Sequence, residues 1–318
     1  MTKFAVLSSL VVALLAFVDS ATAASSSLPT RTWVSGKGND SNACSLALPC
    51  RTFAHAIAMT APGGEIDVLD PAGYGSLVID RAISIVNDGV GIAGVQAGAG
   101  ISAITINAGL DDIVHLRGLT VEGAGVAAHG ILFNSGAALD IVNCVVRHFN
   151  QNGIYLVPSN AGTSYFTITN TFVADNAGVG IWIQPSGNQA FIYGVVNGVT
   201  VKNNYDGVLL DSQNSTADKI HVVTVVNSVA FNNRYVGFYS ASTSGHAYSY
   251  LELRGVTTNL NGHGVQADGP GGYYAVIDIA RSNIGHDGLV NNGGTVYTYG
   301  DNDITGFVTG TLTPKSSQ

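Results

Sequence analysis

His129-Gly130-Ile131-Leu132-Phe133, Asn152-Gly153-Ile154-Tyr155-Leu156 and Val179-Gly180-Ile181-Trp182-Ile183 open a series that decides the fold. It continues through Asp206-Gly207-Val208-Leu209-Leu210, Val236-Gly237-Phe238-Tyr239, His263-Gly264-Val265-Gln266-Ala267 and Asp287-Gly288-Leu289-Val290. Each member is a polar or small residue, then Gly, then two or three apolar positions. Successive glycines lie 23, 27, 27, 30, 27 and 24 residues apart. Asn143, Asn170, Asn197 and Asn227 keep the same register, each after an apolar-rich strand. A period of this size marks a repeat architecture, in which one unit recurs and stacks.

Each repeat holds three short runs of β-branched and aromatic residues parted by Gly, Asn, Ser and Asp, which read as strands. One repeat runs Gly180 to Gln184, Phe191 to Asn197 and Gly198 to Asn203. No segment of helical spacing and length separates them, which excludes leucine-rich horseshoes and helical solenoids. Three strands per coil, stacked at about 4.8 Å, make an all-β, parallel β-helix. Coils of this length are too long and irregular for the left-handed hexapeptide type, so the right-handed form is expected. About nine coils give a rod roughly 45 Å long.

Alternation sorts the side chains. Ile131, Ile154, Ile181, Val208, Phe238, Val265 and Leu289 form the expected core ladder. Leu132, Tyr155, Trp182, Leu209, Tyr239, Gln266 and Val290, one residue on, face outward. The glycines suit tight corners where positive φ is cheap. The Asn row is expected to turn a corner too, with amides bonded along the stack.

Residues 1–23 read as a secretory signal: Lys3, an apolar run from Phe4 to Val18, and Ala21-Thr22-Ala23 as the cleavage site. That run is too short for a membrane span. A secreted protein, extracellular or periplasmic, is therefore expected. The formal charge of −8 argues against nucleic acid, which wants basic stripes, and against unaided binding of polyanionic glycans. The expected organisation is a cap over 24–63, the β-helix over 64–310, and a flexible tail over 311–318. Ile66, Val68, Val78, Ile83 and Ile85 are core candidates of the first coil. Ile104, Ile106, Ile113, Val114, Leu116 and Leu119 serve the next, with a Gly/Ala-rich loop at 89–100 between them.

The cap contains a short helix that Thr52 can start, with Phe53, Ala56 and Ile57 on one side. A solenoid must hide its first coil from solvent and from edge pairing. Cys44 and Cys50, close together in an exported chain, read as a disulfide pinning this cap. Free thiols or metal ligands are the alternatives, without a third or fourth ligand nearby. Cys144 reads as a lone, packed thiol.

The run Val34 to Asn42, then Pro49, Thr52-Phe53, Ala56-Ile57 and Pro62 to Val68, resembles the opening of bacterial right-handed parallel β-helix proteins of the pectate-lyase-like superfamily. The coils continue the resemblance through most of the mature chain. It implies the fold and leaves the reaction open, because that superfamily includes polysaccharide lyases, hydrolases, epimerases and secreted proteins without an assigned activity.

Tyr155, Trp182 and Tyr239 form the candidate sugar-binding row, since rings presented one per coil can stack on sugar faces. Asp206, His263 and Asp287 precede their glycines, and Asp211 and Asp268 follow theirs. His263 and Asp287 lie on adjacent coils. Asp211 and Asp268 lie two coils apart, near 10 Å, a separation that leaves room for a water between acid and base. For uronate elimination, Lys202 is the candidate base, accompanied by Arg234, with calcium as the cation that such chemistry wants. The text around Asp206 is similar to a pectate-lyase calcium segment, but Tyr205 replaces its first acid and Leu209 intervenes. No metal-ligand set is assigned. Polysaccharide binding ranks first, calcium-assisted lyase or hydrolase action second, and a structural or adhesive rod third.

Overall fold

The computed structural model describes residues 28–159, 162–187, 190–216, 219–270 and 274–316; the expected signal segment lies outside them. Three parallel sheets of 12, 10 and 10 strands run the length of a solenoid. Each coil visits the first, second and third sheet in turn. The first sheet runs from Arg31–Val34 to Leu312–Pro314, the second from Ala72–Gly73 to Asp303–Ile304, and the third from Leu77–Ile79 to Val308–Thr309. The coils wind right-handed, the hand that parallel crossovers take.

In the third sheet Ile131, Ile154, Ile181, Val208, Phe238, Val265 and Leu289 are successive register partners and fully buried. Each such side chain contributes about 1.5–3 kcal/mol, but only because the coils on either side cover it.

The pre-strand glycines serve a different purpose from the one expected. Among the seven, only Gly288 has a positive φ, of 64°. A Cβ on Gly207 would come within 2.3 Å of the Gly237 carbonyl oxygen, and one on Gly237 within 2.6 Å of that of Gly264. Backbone stacks directly on backbone at this turn, and any side chain would hold the coils apart.

Positive φ falls instead between the first and second sheets, at Asn143 (55°), Asn170 (48°), Gly198 (64°) and Asn227 (49°). Asn197 ends its strand opposite Thr169, so Gly198 rather than Asn197 turns that corner. The stacked amides occur in another column, before the third sheet. Asn176 Nδ2 donates to Asn204 Oδ1 at 2.9 Å, Asn204 to Asn233 at 3.1 Å, and Asn233 to Asn261 at 2.8 Å. The backbone N–H groups of Asn176, Asn204 and Asn233 donate to the same oxygens, so the buried column satisfies polar groups that would otherwise lose water unpaired.

The N-terminal end is closed by helix Phe53–Met59, capped by the Thr52 hydroxyl, with Phe53, Ala56 and Ile57 buried. Phe53 packs on the buried Tyr74 ring at 4.9 Å. Cys44 and Cys50 are joined in a buried disulfide, and Cys144 is a buried free thiol.

Three expectations need correction. Val78 and Ile113 face solvent, 57% and 43% exposed, while Leu77, Ile79 and Val114 face in. With a side-chain period of two, a one-residue error in register exchanges the faces. Within 89–100, Ala93–Gln96 is a strand that buries Ala93 and Val95. Leu312–Pro314 pairs with Thr295–Thr298, so strand structure reaches into the stretch expected as tail.

Candidate functional site

Alternation in the third sheet puts Tyr155, Trp182, Leu209, Tyr239 and Gln266 in register on its outer face. Tyr155 and Trp182 stack with ring centroids 4.9 Å apart and planes 26° apart, and His129 lies 5.2 Å beyond Tyr155. Trp182 and Tyr239 pack with Val179, Leu209 and Ala241 in a small apolar cluster separate from the main core. The expected open platform is therefore a half-buried apolar floor, with Leu209 and Gln266 buried within it.

One flank of this floor comes from the turn that precedes the sheet. Tyr235 lies edge-on to Tyr239 at 6.2 Å and to His263 at 5.8 Å, with Tyr205 at 5.9 Å. Phe307 meets His263 at 5.7 Å. Sequence reading missed Tyr205, Tyr235 and Phe307, although Tyr205 and Tyr235 occupy matching places in successive repeats, two residues before Gly207 and Gly237.

The other flank is polar and begins two residues further along each strand. The Tyr155 hydroxyl donates to Gln184 Oε1 at 2.7 Å, and Gln184 Nε2 donates to Asp211 Oδ2 at 2.7 Å. Asp211 Oδ1 accepts the Gln213 N–H at 2.9 Å. The Tyr239 hydroxyl donates to Asp268 Oδ2 at 2.5 Å, and Gln266 Nε2 reaches both Asp268 oxygens at 3.0 Å. Gln266 Nε2 also donates to the Tyr235 hydroxyl at 3.2 Å. Asp211 and Asp268 are in register two coils apart, with Ala241 between them.

Asp206, 3% exposed, accepts the Val236 N–H at 2.9 Å. Burial pushes its carboxyl up to about 6, against the pull of that N–H. Burial, and next the hydrogen bond to Asp268, hold the Tyr239 phenol well above its ordinary range, and the Asp206 charge adds to this. Burial and the Asp211 charge raise Tyr155 likewise. Both phenols therefore stay neutral donors. Trp182 Nε1 and Gln266 Oε1 are buried without a hydrogen-bond partner among the described residues.

Of the other expected site residues, Lys202 and Asp287 lie apart from this face, whereas Arg234 and His263 stand on its flanking turn. Lys202 ends the second-sheet strand Thr200–Lys202, and its Nζ lies 5.1 Å over the Phe172 ring. Arg234 is exposed on the turn between the second and third sheets. His263 belongs to the aromatic flank, but Asp287 is turned inward, its oxygens committed to Thr258 and Asn261. Among the described residues, one group of three metal-ligating side chains converges, Cys44, Cys50 and His55, and its cysteines form the disulfide. Asp206, Asp211 and Asp268 thus do not form the clustered oxygen cage that calcium wants.

Two other surface features were also illegible in the sequence. The outer face of the first sheet carries Tyr165 and Tyr193 stacked at 6.0 Å, Phe191 with Lys219 Nζ 4.2 Å above it, and Tyr248 against Tyr274 at 5.1 Å. A cavity of about 580 Å³ between the second and third sheets is lined by His148, Asp175 and Asn203. His148 and Asn203 there hold carboxylates of Glu122 and Asp175, which makes it a local charge network.

A family model described as a right handed beta helix region matches residues 98–278. Among solved structures, the crystal structure of pectate lyase Pel9A is similar with a TM-score of 0.58 at 16% identity, over 91% of this chain and 78% of its own. A rhamnogalacturonan lyase is matched with a TM-score of 0.32 at 10% identity, over 79% of this chain and 82% of its own. A lacto-N-biosidase from Eubacterium ramulus is matched with a TM-score of 0.36 at 10% identity, over 90% and 67%. At such identities the likeness is one of fold, and the last two are too distant in shape to add to it. No curated protein matches by sequence.

Proposed function

This chain belongs to the right handed beta helix family, and from that premise we propose that it is an exported protein that binds extracellular polysaccharide through the outer face of its third sheet. The observation that carries the reading is the apolar floor of Trp182, Leu209 and Tyr239 beside the hydrogen-bonded rim of Gln184, Asp211, Gln266 and Asp268. Sugar rings offer an apolar face and a ring of hydroxyls, and a floor with such a rim complements both. The buried Cys44–Cys50 disulfide supports export, because such bonds persist in oxidising compartments. No described helix is long and apolar enough to cross a membrane.

A glycan array read with the native chain and with Trp182→Ala tests this. Binding to at least one polysaccharide is expected, reduced about tenfold or more by the substitution, which corresponds to roughly 1.4 kcal/mol. Unchanged binding in a variant that keeps its β-rich circular dichroism would remove the assignment of the face.

Hydrolysis is a second reading, favoured by one observation: the Asp206 carboxyl is buried against the start of the Tyr239 strand, accepting the Val236 N–H, and that burial raises it toward the range of an acid catalyst. Release of reducing ends from a bound glycan, abolished by Asp206→Asn, would support it; a glycan bound and recovered intact would exclude it.

A further inference from the structure

We infer that the third-sheet face takes uncharged, hydroxyl-rich sugar units and rejects polyuronates. This rests on the reading that this face is the binding surface and deepens it to a ligand class. Asp206, Asp211 and Asp268 stand on or beside the floor, and none forms an ion pair among the described residues. Their donors are neutral: the Val236 N–H for Asp206, Gln184 and the Gln213 N–H for Asp211, Tyr239 and Gln266 for Asp268. Lys202 lies elsewhere in the coil, with its Nζ over the Phe172 ring, and Arg234, on the turn beside Tyr235, forms no ion pair with any of the three among the described residues. A uronate laid along this face would bring its own carboxylates against negative charge that no cation is paired with.

A second observation, independent of the acids, points the same way. Gln266 is 4% exposed, its Nε2 is fully engaged, and its Oε1 has no partner among the described residues. Beside the same floor the Trp182 indole N–H also has none. The floor is thus short of a donor and an acceptor, and His263 Nδ1 on its flank also lacks a partner among the described residues. A sugar hydroxyl supplies both, whereas an ionised carboxylate supplies acceptors only. The Gln266 amide cannot be turned over to correct this, since its oxygen would then face the Asp268 carboxylate.

The test is affinity electrophoresis of the full exported chain in gels holding neutral β-glucan, xylan or galactan, or polygalacturonate or alginate, without divalent cations. Retardation by a neutral polymer is expected, with polyuronate binding about tenfold weaker or absent and partly restored by added salt, which screens the repulsion. Replacing Asp211 and Asp268 by Asn should raise the ratio of uronate to neutral-polymer binding about tenfold. Uronate bound as tightly as any neutral polymer, and lost in Trp182→Ala, would overturn the ligand class while leaving the face in place. A neutral ligand bound equally by Trp182→Ala and Tyr155→Ala would overturn the face, and the inference with it. Binding to no polymer would do the same.

Discussion

Asn261 donates its backbone N–H at 3.1 Å and its side-chain amide at 2.6 Å to the same oxygen of Asp287. The other oxygen accepts the Thr258 hydroxyl at 2.9 Å. Along the amide column each asparagine passes a donor to the next, so the last one needs an acceptor that donates nothing onward. Asp287→Ala would leave three donors buried and unpaired and should cost about 3 kcal/mol. Asp287→Asn keeps one acceptor oxygen and should cost about 1 kcal/mol. Urea unfolding of both variants checks this, and equal losses would show that the carboxylate is not what ends the column.

Asp206 and His221 set opposing pH dependences. The Asp206 carboxyl is raised to about 6 by burial, so between about pH 4 and 6 the folded chain holds a proton that the unfolded chain has released. Stability therefore falls as pH rises through that window, and the penalty persists above it. His221 is fully buried, and burial lowers it to about 4. Below its unfolded value near 6.5 the unfolded chain binds a proton that the folded chain refuses, so stability is full above that pH and falls toward 4. The two slopes nearly cancel between pH 4 and 6. Asp206→Asn should gain about 2 kcal/mol at pH 7 and show a steeper loss on acidification than the native chain. Parallel stability profiles for the two would refute the assignment.

Gly207 and Gly73 separate close stacking from mere glycine content. A Cβ on Gly207 meets the Gly237 carbonyl oxygen, whereas one on Gly73 meets nothing within 4 Å. Gly207→Ala should lose about 2–3 kcal/mol, and Gly73→Ala should stay within about 0.5 kcal/mol of the native chain. Thermal unfolding of the pair measures the difference; a tolerated Gly207→Ala would mean that the turns are not backbone-limited.

Cys144 should be silent in the native chain. Burial pushes its thiol up to about 11, which removes the reactive thiolate at neutral pH. A thiol reagent should find no reactive group in the folded chain and one per chain in denaturant without reductant. Rapid labelling of the native chain would show that the coil around Cys144 opens.

Cys44 and Cys50 close a short loop, so their bond restricts the unfolded chain only modestly. Replacing both by Ser should lower stability by about 2 kcal/mol. Amide exchange should rise chiefly in the cap, near Trp33, Cys50 and Phe53. A loss spread evenly over the later coils would show that the cap holds the whole rod.

The fold could be read from the sequence because its determinants are periodic. One apolar residue per coil, at Ile131, Ile154 and Ile181 and onward, specifies an inward column whatever the distant packing. The amide column was equally legible: Asn176, Asn204, Asn233 and Asn261 recur every 28 or 29 residues. Asn143, Asn170 and Asn227 masked it, because they have nearly the same period and turn a different corner. The face of Trp182 was different. That Tyr235 folds over Tyr239, that Asp287 turns inward while Asp206 stays beside the floor, and that Lys202 emerges on another sheet all depend on where each turn directs its chain. Periodicity locates a residue along the rod, but its direction around the coil is set by packing between turns, which only the assembled solenoid decides.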